Sequence, residues 1–164
     1  MKFKKTLFIA QAAIIAAMYV ALTLVANAFG LASGVIQIRI SEALTILPFF
    51  TPAAIPGLLV GCLISNIITG CALWDIIFGS AATLLGAVFT YLLRKYKWLA
   101  PLPPIFFNAL IVPFVLRYTY GVEDGLPYLM ATVGIGEIIS AGVLGMILLF
   151  SLNKYSKHIF KNIS

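Results

Sequence analysis

Charged side chains are scarce in this 164-residue chain, at 10% of positions against roughly 25% in an ordinary soluble domain. A water-facing surface cannot be covered with so few polar groups, whereas a lipid-facing one needs almost none. With 62% hydrophobic residues and a mean hydropathy of +1.09, a soluble globular fold is excluded. An integral membrane protein of a single domain, residues 1–164, is expected. The one histidine, His158, lies in a basic tail, so no imidazole is available to relay protons inside the membrane. Cys62 and Cys71 show no CxxC spacing and read as small apolar residues, without a metal site or disulfide. No GxxxxGK[ST] run exists, so the chain has no phosphate cradle of its own. HExxH, GxSxG and paired carboxylates on one face are equally absent, and an enzyme or a bound cofactor is not expected. Nor is there a basic, aromatic-interleaved face for nucleic acid, or an obvious internal repeat.

What is present is long apolar runs, at about residues 6–28, 53–70, 75–93, 101–117 and 128–151. Most approach the roughly 20 residues that cross a bilayer as a helix. A sixth, shorter piece spans about 41–51, with Ser41 and Glu42 at its start and Pro48 and Pro52 at its end. Three basic clusters decide whether it crosses: Lys2, Lys4 and Lys5; Arg94, Lys95 and Lys97; Lys154, Lys157 and Lys161. All three should be cytoplasmic. Only if the short piece is counted do even numbers of crossings separate them. The expected fold is therefore all-α, a six-helix membrane bundle with both termini cytoplasmic and a short, proline-broken second helix.

The acids support this arrangement without having been used to build it. Glu42, Asp75, Glu123, Asp124 and Glu137 all fall in outer loops, outer helix ends or the middle of the last helix, with Arg39 and Arg117 among them. Polar chemistry is thus concentrated away from the cytoplasm, as a cation-tolerant site open to the exterior would require. Cleavage of the N-terminus as a signal peptide is not expected, because its apolar run of about 21 residues exceeds the 7–15 of a signal core.

Glu137 is the sharpest single signal. It lies near mid-bilayer, where a charged acid costs roughly 3 kcal/mol and needs a partner or a proton. Gly134 and Gly136 beside it allow a backbone or a flat ligand to approach. Arg39, Ser41 and Glu42 stand where a loop enters the short helix: either Ser41 is a cap and the charges pair, or the loop brings an acid and a base to a heterocycle. Asp75 reads as a dipole-favoured residue of a helix start or a ligand group. Trp74 and Tyr118 read as interfacial anchors or stacking partners, and Asn66 and Asn108 as interhelical bonds or ligand contacts. Arg117, Tyr118 and Tyr120 close the outer end of the fifth run.

Small residues form a second pattern. In the first run Ala12 and Ala16 are four apart, as are Ala13, Ala17 and Ala21, and Gly57, Gly61 and Ser65 repeat the spacing in the third. Such faces permit close helix approach, either inside the bundle or against a separate membrane subunit.

Four segments, QIRISEALTILPFFTPAAIPGLLVGCLISN, LWDIIFGSAATLLGA, PLPPIFFNALIVP and GIGEIISAGVLG, together with the alanine-rich first run, cover most of the chain. Their combination, RISEAL before a proline-broken stretch and a later Gly136-Glu137 pair, resembles the queuosine-precursor transporter family QueT, an S component of energy-coupling-factor (ECF) transporters. The resemblance implies a prokaryotic, multi-pass cell-membrane protein that captures a 7-deazaguanine base outside the cell. Transport would then depend on a separate transmembrane coupling subunit and two cytoplasmic ATPases. It also implies docking through an alanine face, Ala13 and Ala17 here, and a loop over residues 29–41 that closes the site. Another vitamin or nucleobase as ligand, or a ligand-free membrane scaffold in which Glu137 pairs with Arg39 or Arg117, are the alternatives.

A deazaguanine offers two adjacent N–H donors that suit a carboxylate, a carbonyl that wants a donor, and a flat face for stacking. Glu137 is the expected partner of the guanine edge. Glu42 or Asp75 would meet the cation of the 7-aminomethyl form, Asn66, Asn108 or Arg39 the carbonyl, and Trp74 or Tyr118 the ring.

Overall fold

The structure is a computed structural model that describes residues 2–31 and 36–155. Residues 32–35 of the expected closing loop, and Lys157, His158 and Lys161 of the basic tail, lie outside the described residues. Those described are helical with no strand. Helix α1 (Lys2–Ala28) is followed by a 3₁₀ helix (Ile40–Phe49), then α2 (Ala54–Ile68), α3 (Leu73–Leu92) and a 3₁₀ turn (Lys97–Leu99). Helix α4 (Leu102–Thr119) leads to a final unbroken helical run made of α5 (Leu126–Glu137), a π-helical stretch (Ile138–Leu144) and α6 (Gly145–Asn153). Four stretches are long and apolar enough to cross a bilayer, Lys4–Ala28, Leu73–Leu92, Lys97–Thr119 and Leu126–Asn153, while Ile40–Phe49 and Ala54–Ile68 are shorter apolar helices.

The short helix is the centre of the bundle. Every residue from Ser41 to Pro48 is buried, including Glu42. Pro48 is inside it, and Arg39 rather than Ser41 occupies the N-cap position, with no side-chain cap. Ser41 instead accepts a hydrogen bond from Thr23 Oγ1 of α1 at 2.8 Å. A 3₁₀ helix rises about 2.0 Å per residue against 1.5 Å in an α-helix, so ten residues reach about 20 Å instead of about 15 Å. That extension lets a short segment traverse most of the core. Leu44 and Leu47 pack with Ile15 and Tyr19 of α1, Leu58 of α2 and Ala87 of α3, while Ile46 meets Leu149 of α6 and Ala100.

In lipid the apolar effect gives helices little reason to associate, and close packing must do so. The α1–α2 seam achieves it with glycine: a Cβ on Gly57 would lie 2.7 Å from the Ala12 carbonyl oxygen, and one on Gly61 2.8 Å from Tyr19 Cβ. Ala12 and Ala16 are therefore committed to α2. Ala13, Ala17 and Ala21, about 100° around the helix, are exposed.

The two ends of the bundle differ in chemistry. Trp98 stands edge-on to Phe150 at 5.5 Å, which brings the Arg94–Lys97 segment and Lys154 to one end. Thr51 Oγ1 donates to Gln11 Oε1 at 3.1 Å, tying the far end of the 3₁₀ helix to the early part of α1. At the opposite end Asn27, Arg39, Asp75 and Tyr120 converge around a cavity.

Candidate functional site

Arg39, Asn66 and Asp75 line a cavity of about 370 Å³ at the end away from the basic clusters. Tyr19, Thr23 and Asn27 of α1 and Ser41, Thr69, Cys71 and Tyr120 are also in its wall, as are Gln37 and Ser65. The volume lies in the range of ordinary small-molecule sites. Each group is placed by a simple local cause. Asp75 is in the first turn of α3, where the helix dipole favours an acid. Asn66 is buried on the last turns of α2 and turns its amide to Cys62 Sγ at 3.6 Å. Arg39 ends an extended strand of loop before the buried short helix.

The loop is strapped to the last helical run at two points. The Arg39 backbone N–H donates to Ser140 Oγ at 3.1 Å, and the Gln37 carbonyl oxygen lies so close to Gly136 that a Cβ there would overlap it. Ser140 belongs to the π-helical stretch immediately after Glu137, a distortion that is frequent at functional sites. Glycine at 136 has a concrete role here, which is to let the loop backbone lie on α5.

Asp75 is held by a relay. The Ala72 N–H donates to the Tyr120 hydroxyl at 3.0 Å, and that hydroxyl donates to Asp75 Oδ2 at 3.0 Å. Burial, and then the adjacent Asp75 carboxylate, outweigh the Ala72 N–H and push the Tyr120 phenol up to about 12. Tyr120 therefore keeps its proton at neutral pH and serves as a donor. Asp75 Oδ1 is buried without a hydrogen-bond partner.

Behind the cavity lies a second polar layer. The Tyr19 hydroxyl donates to Glu42 Oε1, a bond between α1 and the short helix. Asn108 of α4 stands within reach of both Glu42 and Glu137. Glu42 Oε2, Glu137 Oε2 and Asn108 Nδ2 are buried with no hydrogen bond. Buried polar atoms without partners cost about 1–3 kcal/mol each, so this layer is a costly place for three of them. Glu137 lines a small chamber of about 10 Å³ together with Gln37 and Arg39. Arg39 thus borders both spaces and is the partition between them.

The structure does not bring every expected residue to this place. Trp74 and Tyr118, 55% and 75% exposed, line a separate apolar groove of about 790 Å³ between α3 and α4. Arg117 turns to the outer loop and donates to the Asp124 carbonyl at 2.7 Å. No cluster of three or more metal-ligating side chains occurs among the described residues.

A family model described as QueT transporter matches residues 9–154. The chain belongs to this family. It is 34% identical over 152 residues to a curated protein of Lactococcus lactis subsp. cremoris (strain MG1363) named "Queuosine precursor transporter QueT", an alignment that covers 85% of this chain and 89% of that one. No solved structure matches the chain. Family membership and the long apolar helices make it a membrane protein. The matched region includes every residue of both chambers.

Tyr19, Gln37 and Tyr120 escaped the sequence-based choice of site residues. Tyr19 carried a signal, since a phenol on an alanine-rich membrane helix must find a hydrogen-bond partner. Gln37 contributes its backbone to the strap, which residue identity does not reveal. Tyr120 resembles any interfacial tyrosine until the fold places it over Asp75.

Proposed function

We propose that the chain is the substrate-binding S component of an ECF transporter, capturing a queuosine precursor, a 7-deazaguanine base, from outside the cell. The polar cavity bordered by Arg39, Asn66 and Asp75 carries this reading. Six crossings with both termini cytoplasmic put the basic clusters inside and open the cavity to the exterior.

In this reading Glu137 accepts the paired N–H donors of the guanine edge and Arg39, on the partition, donates to the ring carbonyl. Asn108 and Glu42 support Glu137 from behind, with Tyr19 fixing Glu42. The loop strap over Gly136 and Ser140 closes the site once the base is seated. Because the chain has no nucleotide-binding motif, energy comes from a coupling subunit and two cytoplasmic ATPases. The exposed row of Ala13, Ala17 and Ala21 supplies a flat docking face for that subunit.

The test is a titration of the chain, purified in detergent without partners, with 7-aminomethyl-7-deazaguanine, using the 7-cyano analogue and guanine as competitors. One-to-one binding of a deazaguanine in preference to guanine is the expected result. Folded protein that binds none of the three would overturn the proposal and favour another vitamin or a ligand-free scaffold.

A further inference from the structure

Asp75, Arg39 and Glu137 stand in that order across two adjoining chambers: Asp75 and Arg39 share the larger, Arg39 and Glu137 the smaller. The sequence of charges is acid, base, acid. Around a 7-substituted deazaguanine the polar groups follow a matching order. The N–H pair comes first, the ring carbonyl next, and the substituent at position 7, on the five-membered ring, last. If Glu137 takes the N–H pair and Arg39 the carbonyl, the substituent points to Asp75.

We infer that Asp75, held in place by Tyr120, is a subsite for a primary ammonium group carried by the heterocycle, and so selects the aminomethyl base over neutral analogues. The inference rests on the capture reading above and adds the substrate's charge to it. Each acid has one oxygen bonded to a tyrosine and one without a partner, and it is position that supports Asp75 over Glu42 in this role. Asp75 lines the cavity, whereas Glu42 is sealed behind it. One Asp75 oxygen is occupied by Tyr120 and the other has no partner. Glu42 already accepts a bond from Tyr19, which anchors it to the core. Finally, Tyr120 donates to Asp75 and accepts from the Ala72 backbone, so the carboxylate is oriented by a group that cannot neutralise it. Arg39, which lines the same cavity, lies within electrostatic reach of Asp75. It tempers the acid without hydrogen-bonding to its free oxygen. A cationic substituent placed there would form a charge-assisted hydrogen bond in a partly desolvated setting.

The experiment measures affinities of the full chain in detergent for 7-aminomethyl- and 7-cyano-7-deazaguanine, in the native protein and in Asp75→Asn, Tyr120→Phe and Glu42→Gln. The native chain should favour the aminomethyl base by about tenfold or more, the scale of one charge-assisted hydrogen bond. Asp75→Asn should collapse that ratio toward unity, Tyr120→Phe should lower it in the same direction, and Glu42→Gln should leave the ratio in place. A native preference for the cyano base, an Asp75→Asn ratio equal to native, or a ratio that moves with Glu42→Gln instead would each overturn the inference while leaving capture intact. Binding of neither base by folded native protein would overturn the capture reading itself. Should Asp75→Asn fail to fold, Tyr120→Phe decides on the same ratio, because it leaves the acid present and removes only its positioning.

Discussion

Tyr19 and Glu42, 23 positions apart, join the middle of α1 to the centre of the bundle through a hydrogen bond from phenol to carboxylate. Glu42 is fully enclosed, and its second oxygen has no partner. Removing the phenol hydroxyl takes away the hydrogen bond that holds this buried side chain. Tyr19→Phe should therefore destabilise the protein by about 1–3 kcal/mol, read as a lower Tm in detergent. An unchanged Tm would show that the bond contributes nothing net.

The α1–α2 seam tolerates no side chain. Gly57→Leu, placed where even a Cβ would crowd the Ala12 carbonyl, should force the helices apart and lower thermal stability by more than about 2 kcal/mol, in the range for severe overpacking. Gly121→Ala is the contrasting case. No neighbour lies near it, but its positive φ of 66° should cost about 1 kcal/mol through backbone strain alone.

The exposed alanine row should behave differently from the buried one. Ala17→Leu adds a side chain to a surface that meets nothing in the isolated chain, so the Tm should change by little and base binding should persist. Uptake in cells that also express the coupling subunit and ATPases should be lost. Loss of binding in the purified variant would instead place that face inside the bundle.

Gly136→Ala should act on the closing loop. The added methyl meets the Gln37 carbonyl and lifts the strap that Ser140 holds. Dissociation of the bound base should accelerate about tenfold or more, measured by stopped-flow competition, with a smaller change in the association rate.

Sidedness is checked by labelling. In a Cys71→Ser background, a cysteine placed at Gly121 should react with an impermeant maleimide added to intact cells, and one at Tyr96 should react only after the membrane is opened. Labelling at position 96 from outside, whatever happens at position 121, would refute the proposed even number of crossings before the Arg94–Lys97 segment.

Much of the architecture was legible because lipid leaves few choices. Long apolar runs must be helices there, and the all-helical chain with its four long apolar helices follows. The 3₁₀ form of Ile40–Phe49 was not legible, because nothing in ISEALTILPF forbids an α-helix before Pro48, and burial on every side decides the matter. The polar residues of the site were recognisable one at a time, since each acid or amide in an apolar segment is costly. Their grouping was not. Asp75 and Tyr120, 45 positions apart, meet only because α3 and α4 run side by side, and Trp74, adjacent to Asp75, turns to the lipid-facing groove through one residue's rotation of about 100°. Alanine spacing marked two faces of α1, and only the glycines of α2 show which of them is already used.

The π-helical stretch after Glu137 closes its hydrogen bonds from i to i+5 in place of i to i+4, which lets the last helical run take up about one extra residue. Were Ile138–Leu144 to rewind as ordinary α-helix with no residue removed, everything beyond it would rotate by about 100°. Gly145 and Leu149, which now face Ala43 and Ile46, would swing off the short helix, or else Glu137 would swing away from Arg39. The π-helical turns thus hold one half of this span in phase with the small chamber beside Arg39 and the other half in phase with the core.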